Sequence, residues 1–300
     1  MKMKRIVITG ICLTFAFTIT QAQVTLQFAP EAGANYEYRT EIVQNIKQRV
    51  GDRTLPIEET VTMDFLMNVK SRNAKGAETY FTFRDISYLL SSPMLQMEYD
   101  SKKLKSNASP LDKMQEKIFG SVVGKSFTLV ISPDGTVKNV NGVDAITKEI
   151  KRAVAADGPM GDQMSASEIQ QWLGKDALKG MFEQSFRIYP AKEVKVGDHW
   201  TVKSKYGISN KKSTITTVYT LTSIQNDLAN ISVDATVIFE PAGGVEGTLS
   251  GSQAGEIIVN TKTGIPVSSD LTLNINGNVK QNNMNMVMEM IAKMKTIINE

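Results

Sequence analysis

From Tyr36 the chain alternates apolar and polar positions over a long stretch. Tyr36, Tyr38, Thr40, Ile42, Ile46 and Val50 fall on one face of an extended segment, and Glu37, Arg39, Glu41, Asn45, Lys47 and Arg49 fall on the other. Gly51-Asp52 marks a turn. Leu55, Ile57, Val61, Met63, Phe65, Met67 and Val69 then share one face of a second segment. A further turn at Asn73 to Gly76 precedes a third, with Thr79, Phe81 and Phe83 on one side. Period two sustained this far predicts antiparallel strands with one dry face. At about 3.3 Å per residue the first two strands reach up to about 50 Å. Strands of that length twist, so the sheet is expected to curl around its apolar side.

The pattern then shifts to helical spacing. Ser109 is placed to cap a helix with Pro110 in its first turn and Leu111, Met114, Ile118 and Phe119 along one face. "SFTLVISPDGTVKNV" returns to extended structure, with Pro133, Asp134 and Gly135 supplying a hairpin turn. Val143 to Phe186 reads as the helical middle. Val143, Ile146 and Ile150 recur at helix spacing. Ser165 with Glu168 forms a capping box before Ile169, Trp172 and Leu173, Gly174 ends that helix, and Asp176 caps another carrying Leu178, Met181 and Phe182.

After Tyr189 the chain echoes its first half. "EAGANYEYRTE" and "KVGDHWTVKSK" both place a glycine three residues before an aromatic, at Gly33 with Tyr36 and at Gly197 with Trp200. Two alternating strands follow in each half. "LVISPDGTV" has its counterpart in "IIVNTKTGIPV", where Gly264 takes the turn role of Gly135. The expectation is an α+β protein of two similar antiparallel β-meanders of long curved strands with a helical middle segment, half-barrel-like. Residues 23–142 form the first meander with one short helix, 143–188 a helical connector and 189–300 the second meander. One continuous sheet and two separate modules both remain open.

The N-terminus changes the charge picture. Lys2, Lys4 and Arg5 precede the apolar run Ile6 to Ile19, and Thr20-Gln21-Ala22 offers a small residue for cleavage. Residues 1–22 read as a secretory signal peptide. Ile11 before Cys12 is not the small residue that a lipoprotein signal needs. The leader takes three of the 34 basic residues, and the 31 that remain equal the 31 acidic ones. A neutral mature chain has no electrostatic motive for nucleic acid. The single Cys leaves with the leader, so no disulfide is expected and the core must hold the fold together. The expected location is the periplasm, with no transmembrane span after cleavage.

Little in the chain suggests catalysis. The single His, His199, stands beside Trp200 with no signalled acid or nucleophile. Asp134 has no second carboxylate, His or Cys near it in sequence. No nucleophile elbow, phosphate loop or zinc motif is present. No cofactor is called for, and the expectation is a protein that is not an enzyme. "PAGGVEGTLSGSQAG" reads as a flexible loop entering an edge strand.

The unusual feature is "MNMVMEMIAKMKTII". Met284, Met286, Met288, Met290, Ala292, Met294 and Ile298 fall on even positions, as a strand with one soft apolar face would place them. A helix with Asn285, Glu289, Lys293 and Thr296 as its polar stripe is the alternative. Core packing, an adaptable wall for an apolar ligand, and thioether binding of copper(I) all fit methionine chemistry. The ligand-wall candidates are Met284, Met286, Met288, Met290, Phe65 and Met67. The expected partner is a lipid or apolar small molecule. The alternative is an envelope protein met by strand addition, with no small ligand.

"PMLQMEYDS", "VVGKSFTLVISPDGTVKNVNG" and "KVGDHW" together resemble an exported family of Gram-negative bacteria, a domain family of unknown function. The resemblance covers roughly Leu26 to Glu300. It implies no activity, cofactor or site residue. The expected architecture is also similar to the half-barrels of periplasmic lipoprotein carriers, a likeness of fold class alone.

Overall fold

The alternation that begins at Tyr36 becomes β1 (Asn35–Val50), a strand whose even residues face the interior. The computed structural model describes residues 23–103, 109–155, 173–208, 211–240, 245–281 and 284–300. After the turn at Gly51 come β2 (Arg53–Asn73), β3 (Gly76–Ser91) and the short β4 (Gln96–Asp100). Helix α1 (Pro110–Gly120) leads to β5 (Ser126–Ile131) and β6 (Val137–Asn141). Two helices follow, α2 (Val143–Ala155) and α3 (Lys175–Phe186). The rest is strand: β7 (His199–Ile208), β8 (Lys211–Gln225), β9 (Leu228–Glu240), β10 (Val245–Asn260), β11 (Pro266–Gln281) and β12 (Met284–Asn299).

All twelve strands belong to one open, curved antiparallel sheet, in the order β6-β5-β3-β2-β1-β12-β11-β10-β9-β8-β7, with β4 paired to β3. The two wings join through β1 and β12, whose register runs from Glu37 opposite Asn299 to Val50 opposite Met286. Continuity, left open by the sequence, is thus resolved in favour of a single sheet. The second wing, β7 to β12, is a simple meander. Asn226 and Asp227 take positive φ (50° and 63°) in its tight β8–β9 turn, as a two-residue hairpin requires.

The echo between the halves is visible in hydrogen bonds. The Gly33 N–H donates to Val69 O, and the Val69 N–H returns to Ala34 O, at 2.7 and 2.9 Å. The Gly197 N–H donates to Leu221 O, and the Leu221 N–H returns to Asp198 O, at 2.8 and 3.0 Å. Both glycines have positive φ, which lets the chain turn into the strand without a side-chain clash.

The core fills one end of the curled sheet. Tyr38, Phe65, Phe81, Phe83 and Phe127 form an aromatic cluster into which α3 inserts Phe182 and Phe186. Phe81 and Phe182 have ring centroids 4.3 Å apart. Helix α3 packs against both β6 and β7, the two ends of the strand order. Buried Glu183 on α3 accepts a hydrogen bond from the Val137 N–H at 3.2 Å, satisfying a donor on the β6 edge. The N-terminal segment ties the same region together. Val24 pairs with Val194, the Phe28 N–H donates to Pro133 O and the Ala29 N–H donates to Thr263 O, the last two at 2.8 Å.

Several sequence expectations hold. Ser109 caps α1, and Asp112 completes a capping box. Val143, Ile146 and Ile150 are buried along α2. Gly135 and Gly264 both close hairpins with positive φ. The Met-rich segment is a strand, β12, and not a helix.

Others need correction. The Gly-rich stretch is no loop into an edge strand: from Val245 it is β10, paired on both sides with β9 and β11. Its glycines mark a close approach of neighbouring backbones. A Cβ at Gly247, Gly251 or Gly255 on β10, or at Gly277 on β11, would lie 2.0–2.1 Å from a carbonyl oxygen of the neighbouring strand, so only glycine permits that approach. Gly174 is the N-cap of α3, and Asp176 lies inside its first turn without capping it. The expected leader, residues 1–22, and the expected capping box at Ser165 and Glu168 lie outside the described residues.

Candidate functional site

Beyond the aromatic core the long strands continue, and their inward positions form an apolar strip. The β1–β2 and β1–β12 registers run without a bulge, so parity carries the inward face from Tyr38 to the rim turn. Successive cross-strand rows follow from that register. Val61, Ile42, Met294 and Leu271 make one row; Ile57, Ile46, Met290 and Ile275 make another; Leu55, Gln48, Met288 and Gly277 lie nearer the rim. Ile42, Ile46, Leu55, Ile57, Met286, Met288 and Met290 are half-buried, whereas Val237, Ile275 and Val279 on the second wing are buried. The three described helices pack chiefly on β4, β6, β7 and one another. The strip therefore offers soft apolar surface sheltered by its own sheet, and methionine there re-packs easily.

Between these apolar rows lies one polar station. Glu59 on β2 stands directly opposite Gln44 on β1, and the row continues through Ala292 and Leu273 to Gln253 on β10. Glu59 and Gln44 are half-buried. Burial pushes the Glu59 carboxyl above its usual range, while a hydrogen bond with Tyr88 pulls the other way. At the inward positions of β1, β2, β9, β10, β11 and β12, the charged residues are Glu59 and Arg53, the latter exposed at the rim turn. Six residues separate Glu59 from Phe65 and six from Arg53, so it sits about 20 Å from either.

The predicted wall residues fall into two groups. Met286, Met288 and Met290 share the inward strip of β12. Met284 begins that strand, with its side chain outside the described residues. Phe65 and Met67 are fully buried in the aromatic core, opposite Tyr38 and Tyr36, far from the methionines along the strand. Sequence reasoning missed Glu59 and Gln44. The signal was available: the inward run Leu55, Ile57, Val61 skips the position that Glu59 occupies.

The remaining chemical candidates are structural. Asp134 is exposed at the β5–β6 turn, where its carboxylate accepts hydrogen bonds from Ser132 Oγ, from the Thr136 N–H at 3.1 Å and from Thr136 Oγ1 at 2.8 Å. Partial burial acts to raise its pKa, but these hydrogen bonds, with the nearby Lys138 charge, win and hold the carboxyl below its usual range. His199 is exposed at the start of β7, opposite Thr220. Among the described residues no group of three or more His, Cys, Asp or Glu is arranged to hold a metal, and no helix is long and apolar enough to cross a membrane. A separate open cleft of about 690 Å³ lies between β4 and α1, with Lys113, Glu116 and Lys117 beside Tyr99 and Val123. Its mixed, charged lining is unlike the inward strip.

These features define a long-stranded antiparallel sheet protein with an apolar inward strip and a helix set between its edge strands. The chain belongs to the Family of unknown function (DUF6263), whose model matches residues 76–266. That stretch runs from the first residue of β3 to the first residue of β11, so Glu59, Gln44 and β12 lie outside it. No curated protein matches the chain. Among solved structures, that of lipovitellin, described for its lipid–protein interactions, aligns with TM-score 0.50 at 10% identity, covering 90% of this chain and 25% of that one. The chain thus spans a quarter of that structure, and the likeness is one of fold. Pseudomonas aeruginosa OccK7 (9% identity, 89% of this chain and 99% of that one, TM-score 0.24) and an outer membrane channel of Pseudomonas putida F1 (6%, 91% and 97%, TM-score 0.27) also align. Scores at that level carry no argument about this protein.

Proposed function

We propose that this is an exported, non-catalytic protein that holds an apolar ligand, a lipid in the first instance, against the inward face of its sheet. In this reading the two wings act as halves of a half-barrel, plugged at one end by the aromatic core and open towards the rim. The observation that carries it is the half-buried strip of Met286, Met288, Met290, Ile42, Ile46, Leu55 and Ile57, because apolar side chains left partly wet gain free energy when a ligand covers them. The lipovitellin structure was described for its lipid–protein interactions, and the shared fold makes lipid the ligand class to try first. The leader read at residues 1–22 supports export to the periplasm. Addition of a partner strand at β7 is the weaker reading, since exposed Lys203 and Lys205 on that edge strand are the kind of residue that discourages pairing. Native mass spectrometry and solvent extraction of the purified protein test the proposal. Co-purifying lipid supports it; a ligand-free protein that takes up no lipid from vesicles overturns it.

A further inference from the structure

The inward strip is almost uncharged, and its exception lies midway between core and rim. A carboxyl among Ile57, Val61 and Ile46 forfeits hydration that a serine or valine would not need. Tyr88 supplies a hydrogen bond, and Gln44, directly across, brings an amide able to donate or accept. Neither carries a cation to offset a carboxylate. Above Glu59 the strip closes within two rows: beside Val61 (2% exposed) Ile42 and Met294 are still half-buried, but the next row, Met63 at 7%, Thr40 at 5% and Thr296 at 9%, is buried. Below it the half-wet rows of Ile46, Ile57, Met290 and Met288 run about 20 Å to the rim. A charged station one row short of the closed end of a soft apolar path has the form of a head-group contact with a chain-binding strip.

We propose that Glu59, with Gln44, seats the head group of a single-chain amphiphile bearing an amine, its tail lying along the Met288–Met290 strip towards the rim. This rests on the ligand reading above and goes further by naming the head-group chemistry. An ammonium donates to the carboxylate and supplies the missing positive charge, and such charge-assisted contacts are the stronger kind. A carboxylate head would meet a like charge, and an alcohol would give one neutral hydrogen bond.

The test compares dodecylamine, dodecanol and dodecanoate on the purified full chain, by displacement of the neutral fluorophore N-phenyl-1-naphthylamine. The expected result is dodecylamine binding tighter than dodecanoate by about tenfold or more. Glu59→Gln should erase that ratio. Gln44→Lys, which gives Glu59 an internal cation, should likewise bring the ratio towards one, and it keeps the test decisive if Glu59→Gln does not fold. Equal binding of the amine and the carboxylate by the wild type, or a ratio that survives both substitutions, overturns the head-group assignment while leaving the ligand reading standing. Failure of all three amphiphiles to displace the fluorophore overturns both.

Discussion

The α-carbon of Gly135, at the tip of the β5–β6 hairpin, sits against the carbonyl of Phe186, the last residue of α3. A Cβ built on Gly135 would stand 1.7 Å from Phe186 O. Gly264, at the corresponding tip between β10 and β11, meets Gln27 O in the same way, also at 1.7 Å. Both hairpin tips are therefore close-packed joints. Gly135→Ala combines left-handed strain (φ +77°) with a backbone collision, and should cost about 2–5 kcal/mol. Gly51→Ala has positive φ but nothing within 4 Å, and should cost only about 1–2 kcal/mol. Denaturant titration of the two variants checks this; equal losses would mean that the joint at Phe186 contributes nothing.

Helix α3 should be the element on which the core depends most. Phe182→Ala empties the centre of the aromatic cluster and should cost about 3–5 kcal/mol. Glu183→Ala strands the Val137 N–H and should cost about 1–3 kcal/mol. Hydrogen exchange gives the sharper readout for the second variant. Protection should fall first in β6, and a loss spread evenly over β7 to β12 would contradict the assignment.

Parity along β12 makes a third prediction. Met288→Asp places a carboxyl on the inward strip, where it should cost about 1–3 kcal/mol and abolish retention of any apolar ligand. Glu289→Lys faces outward at an exposed site, and should change stability by less than about 0.5 kcal/mol. Thermal melting and lipid co-purification read the two effects separately.

The Glu59 carboxyl sets a pH dependence with a definite sign. Its affinity for a proton is raised on folding, chiefly by burial, so the folded chain binds that proton more tightly than the unfolded chain. The contribution to stability is complete below the ordinary glutamate range and is lost as pH rises through the raised folded value. Glu59→Gln removes this dependence. The stability difference between wild type and Glu59→Gln, measured by denaturation across that interval, should shift against wild type as pH rises; a shift in the other direction would show that the carboxylate is stabilised in the fold.

The strands were legible because period two is local: Tyr36 to Val50 and Leu55 to Val69 declare their faces without reference to the rest of the chain. The α1 cap and the Gly33 and Gly197 entries were legible for the same reason. Partners far apart in sequence were not. Nothing near Glu37 announces Asn299, and β10 hid behind glycines that propensity assigns to loops but close backbone approach demands. The candidate site was half legible. The Met strip showed as a run of one residue type, whereas Glu59 showed only as a gap in an apolar series. Its meaning depends on Gln44, which pairing brings across from the neighbouring strand. Phe65 and Met67 share the inward face with the methionines, but alternation fixes which face a side chain takes and not how deep it lies.

The pairing of β1 with β12 also fixes an order of events. β1 can zip to β2 as soon as the Gly51 turn forms, but its other flank waits for the last strand, β12 (16 residues, Met284–Asn299). A sheet whose central seam joins the two extremes of the sequence has a large loop to close, and such topologies fold slowly. During synthesis the seam is absent, so the inner edges of both wings stay unpaired until β12 is delivered. Truncation within β12 should then leave two wings with exposed inner edges and a strong tendency to aggregate.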